Sequence, residues 1–126
     1  MTDQTWTKDA QQAMGVLLVR LAKADAHYAQ AEIARIDRLF ARHYDMNPIE
    51  AAQLRATCET LEKTAGETDA LAGQVRNLMT LDQRTSIVTA LWQVSLADGV
   101  VRNEEADLVA RVAEAADVPK SELPAG

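Results

Sequence analysis

The sequence predicts an all-α protein, a compact single-domain bundle of about six helices that contains two pseudo-symmetric helix–turn–helix repeats. Three observations point there. The first is a segment that occurs twice: Leu21-Ala22-Lys23-Ala24-Asp25-Ala26 recurs as Val94-Ser95-Leu96-Ala97-Asp98-Gly99, and each Asp is followed at the same spacing by a glutamate, Glu32 and Glu105. The register holds on both sides, pairing Leu18 with Leu91, Ile36 with Val109, Leu39 with Val112 and Arg38 with Arg111. The second is composition: aromatics are 4% of the chain, with only 5 Gly and 3 Pro, so little favours strands and little interrupts helices. The third is a set of helix-start signals between apolar runs of helical period.

Taken in order, the first helix starts near Asp3 or Thr5 and runs to about Asp25, with Trp6, Ala10, Ala13, Met14, Leu17, Leu18 and Leu21 at three-four spacing. A second covers Gln30 to Tyr44, with Ile33, Ile36, Leu39 and Phe40 on one side. Asn47-Pro48-Ile49-Glu50 joins a capping Asn, a proline at the first helical position and a capping-box Glu, and opens a third helix from Pro48 to about Thr64. Gly66 breaks that run. A fourth helix spans Glu67 to Leu78 through Leu71 and Val75, and Thr80-Leu81-Asp82-Gln83 is a second capping box opening a fifth that runs to about Asp98. Gly99 suits a left-handed helix end with positive φ. Asn103 then caps a sixth helix carrying Leu108, Val109 and Val112, and Pro119 and Pro124 stop regular helix beyond one turn at Lys120 to Leu123.

The 126 residues read as one domain, 1–126. A formal net charge of −6 argues against nucleic acid or anionic lipid as partners and favours cations or basic surfaces. One cysteine, Cys58, excludes an internal disulfide and a cysteine zinc site, and in a helical run it packs as a small hydrophobe. No signal peptide or membrane span is recognisable, so the expected location is cytoplasmic and the chain is not an integral membrane protein. Trp6 and Trp92 belong at the core or its rim.

Each repeat places an Asp at a helix end and a Glu in the first turn of the next helix. One reading is structural: the Asp accepts loop N–H groups and the Glu complements the helix dipole. The other is a hard-cation site, with Asp25, Glu32, Asp98 and Glu105 as four carboxylates for Ca²⁺ or Mg²⁺ and with loop carbonyls and water completing a shell of about six to eight oxygens. The spacing differs from an EF-hand loop, Lys23, Arg35 and Arg102 are near enough to neutralise the acids, and His27 is a borderline ligand. His43 has no second ligand at helical spacing, and no nucleophile, base or phosphate loop is recognisable, so no enzyme is expected.

Ala97-Asp98-Gly99, the short apolar Val100-Val101 and the acidic helix start Glu104-Glu105 resemble the tellurite resistance TerB family, itself similar to the N-terminal domain of the DjlA class of co-chaperones. The resemblance spans nearly the whole chain. It implies an all-helical module associated with tellurite and stress resistance and a divalent metal at the acidic turns; the partner expected is a protein in a stress-response assembly, and a homodimer stays open. The alternative it implies is a protein-interaction scaffold like the DjlA N-terminal domain, with no metal. His43-Tyr44-Asp45 is not the His-Pro-Asp of a J-domain. The first copy departs from the pattern at Ala26, so the second turn, Asp98 with Glu105, is expected to dominate any cation site.

Overall fold

Thr7 opens the first helix. In the computed structural model, which describes residues 7–24, 30–96 and 103–119, its backbone is extended and its Oγ1 accepts the Ala10 N–H at 3.1 Å, so α1 (Lys8–Ala22) begins there rather than at Asp3 or Thr5. Residues 1–6, Trp6 among them, lie outside the described residues. From Met14 to Val19 every residue of α1 is buried, as are Leu21 and Ala22. A helix that is apolar all round belongs in the middle of a bundle, and α1 packs against all five other helices.

The second helix, α2 (Gln30–Tyr44), ends where Asp45 takes a left-handed φ of 54° and the Met46 N–H reaches back to the Ala41 carbonyl at 3.1 Å. Asn47 then caps α3 (Pro48–Glu62) as its sequence predicts: its Oδ1 accepts the Glu50 N–H at 2.8 Å while Glu50 Oε1 accepts the Asn47 N–H at 3.0 Å. Arg55 clasps α2 to α3 through Asp37 (2.6 Å) and also binds Glu59 (3.0 Å). The helix stops short of Thr64, because Thr64 and Ala65 make tighter turn bonds to Leu61 and Glu62 and Gly66 takes a φ of 86°.

A fourth helix, α4 (Thr68–Leu78), follows, and the Thr80–Gln83 capping box starts α5 (Leu81–Ser95). Leu96 closes α5 before the expected Asp98. In the last helix, α6 (Asn103–Ala115), Asn103 is itself helical rather than the cap. At its far end Asp117 takes a φ of 57° and the Val118 N–H bonds the Ala113 carbonyl at 2.9 Å. Arg84 of α5 donates to the free Ala116 and Asp117 carbonyls at 2.6 and 3.1 Å. Gly99 and residues 120–123 lie outside the described residues.

Among the described residues the result is an all-α, six-helix compact bundle, and no described helix is long and apolar enough to cross a membrane. Lys8 and Leu81, Ala22 and Ser95, and Gln30 and Asn103 are separated by the same number of residues, so α1 and α5 have matching bounds and α2 and α6 matching starts. Trp92 is partly buried against the core, at its rim as expected. Cys58 is wholly buried, with its S–H directed at the Gln12 carbonyl, and burial foremost, then the Glu59 charge, push the thiol up to about 12. Tyr44 stacks on Phe40, donates its hydroxyl to Met14 Sδ at 3.1 Å, and burial raises its phenol above the ordinary range.

Candidate functional site

The apolar stripe of α2 does not begin with an apolar residue. Glu32 is 1% exposed and shares its face with Ile36, Leu39 and Phe40, whereas Ile33, expected on that face, is only partly buried. On α6 the same place is held by Glu105, 0% exposed, ahead of Val109, Val112 and Ala113. Among the described residues these are the only charged side chains in the core. Their acidic neighbours Glu104 and Asp107 are exposed.

A carboxylate taken out of water costs several kcal/mol unless hydrogen bonds, an opposite charge or a cation compensate it. Both glutamates stand in the first turn of their helices, where N–H groups and the positive end of the dipole offset part of that cost. Neither position resembles an ordinary surface cap, which keeps its carboxylate in solvent. Both parent helices, α2 and α6, pack on α1 and α5.

The two aspartates of the acidic turns, Asp25 and Asp98, lie outside the described residues, as do His27 and Arg102. Among the described residues no group of three or more His, Cys, Asp and Glu side chains is arranged to hold a metal ion. Glu32 and Glu105 fit a hard cation in donor chemistry, being oxygen ligands held away from bulk water.

One of the basic residues expected to neutralise the acids, Lys23, is engaged elsewhere. Lys23 Nζ lies 3.1 Å from Glu62 Oε1, and Arg20 Nε lies 3.1 Å from Glu62 Oε2. Arg20 also donates to the Gly66 carbonyl (2.6 Å), to Thr68 Oγ1 (3.4 Å) and to the Glu62 carbonyl (3.4 Å), tying the end of α1 to the α3–α4 turn. Burial pushes the Glu62 carboxyl up, but hydrogen bonds and charge from Lys23 and Arg20 outweigh it and hold the group below its usual value.

Sequence reasoning missed that Glu32 and Glu105 are core residues. The signal was available: each stands four positions before a core aliphatic, Ile36 and Val109, on the line of the apolar stripe.

Among known proteins, the family described as tellurite resistance protein TerB matches residues 11–125, most of the chain. No curated protein and no solved structure matches it.

Proposed function

The chain belongs to the TerB family, and on that premise we propose that it is a stress-response module whose acidic turns hold a divalent cation, Ca²⁺ or Mg²⁺. The family is non-catalytic, and the protein is not an enzyme. The observation that carries the reading is the pair of fully buried glutamates, one at each turn. A stabilising surface cap gains nothing from complete burial, whereas a metal ligand gains a dry, low-dielectric site.

In this reading Glu32 and Glu105 are inner carboxylates, Asp25 and Asp98 complete the acid set, and the helix pairs α1–α2 and α5–α6 act as two copies of one hairpin. The shared separation of their bounds and of Glu32 and Glu105 supports the repeat. The second turn dominates because Gly99 lets loop carbonyls turn toward an ion where Ala26 does not. The bound cation sets the geometry of the turns, and a protein partner in a cytoplasmic stress-response assembly reads that geometry. Calorimetric titration with Ca²⁺ and Mg²⁺ tests the proposal: saturable binding to the wild type is expected, and no heat of binding at millimolar cation contradicts it.

A second reading, a metal-free scaffold for another protein or a second copy, has its own support. An open groove of about 400 Å³ runs between α1, α3 and α4 over Val16 and Leu71, and Leu61 and Leu78 are exposed on its walls.

A further inference from the structure

The helix that leads into the first acidic turn ends in two positive charges, and the helix that leads into the second ends in none. Lys23 is the C-cap of α1 and Arg20 stands one turn earlier, whereas the C-cap of α5 is Leu96 and Gln93 stands at the place of Arg20. Lys23 precedes Asp25 by two residues, so chain length alone keeps their Cα atoms within about 7 Å, inside the reach of an ammonium on a four-carbon stem. An ammonium that pairs with a carboxylate competes with any cation for the same oxygens. On the cation reading given above, we propose that Glu62 is a positioning residue for that site: it holds Lys23 and Arg20 on α3 and keeps their charges off the first acidic turn.

Glu62 takes this place against the preference of its own helix. It is the last residue of α3, at the negative end of the helix dipole, where an acid is disfavoured. The compensation comes from α1: Oε1 takes Lys23 Nζ and Oε2 takes Arg20 Nε, each at 3.1 Å, and the Glu62 side chain is only 14% exposed. The rest of the Arg20 guanidinium is spent on the Gly66 and Glu62 carbonyls and on Thr68 Oγ1. One carboxylate thus uses both oxygens to fix both bases at the α3–α4 turn. The two bases are not held equally. Arg20 keeps its carbonyl partners if Glu62 loses its charge, whereas Lys23, with 39% of its side chain exposed, is freed toward the acids that follow it in the chain.

The test is calorimetric titration of Ca²⁺ and Mg²⁺ into the full chain as wild type, Glu62→Gln, Lys23→Met and the double variant. Ionic strength is held constant, and circular dichroism sets a temperature at which all four are folded. Glu62→Gln should bind cation about threefold to fivefold more weakly than wild type. Lys23→Met should leave the wild-type affinity within about twofold but recover most of the loss in the Glu62→Gln background. A salt bridge that only fastens α1 to α3 moves melting temperatures and not this coupling, and a distant negative charge makes Lys23→Met act equally in both backgrounds. Equal effects of Lys23→Met in the two backgrounds, or unchanged affinity in Glu62→Gln, overturn the role of Glu62 and leave the cation reading standing. Absence of binding by the wild type overturns both.

Discussion

Gly15 of α1 sits against Cys58 of α3 so closely that a β-carbon on it would overlap the Cys58 sulfur and come within 2.9 Å of Phe40 Cζ. The glycine is therefore what allows these two helices to approach, with Cys58 filling the space a larger side chain would need. Gly15→Ala should destabilise the protein by about 1–3 kcal/mol through overpacking, despite the better helix propensity of Ala. Combining it with Cys58→Ala should recover part of that loss, and urea unfolding of the four members of the cycle measures the coupling. Additive effects would show that the helices separate freely at this point.

The same burial governs the chemistry of Cys58. With its thiol pushed up to about 12, almost none is thiolate at neutral pH, and the thiolate is the reactive form. A maleimide or disulfide reagent should label the native protein far more slowly than a free cysteine, and labelling should accelerate through the urea transition. Fast native labelling would contradict the packing of α1 on α3.

The Arg20–Glu62–Lys23 cluster predicts an acid-sensitive contribution. Glu62 titrates below its unfolded value, so its stabilisation is complete above the ordinary carboxylate range and is lost as pH falls through the folded value. Glu62→Gln should lower stability by about 1 kcal/mol at neutral pH and flatten the fall in melting temperature on acidification. An unchanged acid limb would assign that loss to other carboxylates.

Much of the fold was legible because its signals are local. The Asn47 and Thr80 capping boxes lie where the residue pattern puts them, and Gly66 ends its run with a positive φ. Helix ends were less legible, since Thr7 and the turn bonds of Thr64 and Ala65 compete with neighbours of similar propensity. The left-handed aspartates 45 and 117 do the work usually given to glycine, and composition does not announce them. The candidate site was legible as spacing but not as burial. Read by their place at a helix start, Glu32 and Glu105 look like solvated acids; the signal that opposes this is their register with Ile36 and Val109 on the stripes by which α2 and α6 pack on α1 and α5.

Removing the buried charges separates the two uses of the acids without cation present. If Glu32 and Glu105 await a cation, Glu32→Gln and Glu105→Gln should be neutral or stabilising in chelator, because an amide is cheaper to bury than a carboxylate. A loss of about 1 kcal/mol or more in chelator would instead assign the carboxylates to holding the helix starts. Urea denaturation in chelator decides between these outcomes.

The central claim, a divalent cation at the acidic turns, is tested most directly by melting the wild type, Asp98→Asn and Glu105→Gln with and without Ca²⁺ or Mg²⁺. A ligand that binds only the folded state adds about 2.7 kcal/mol at a hundredfold excess over Kd, roughly 10 °C for a domain of this size. The account predicts such a rise for the wild type, a much smaller one for both variants, and a surviving fold in chelator. The same melting temperature with and without cation for the wild type, at millimolar concentration, would contradict it.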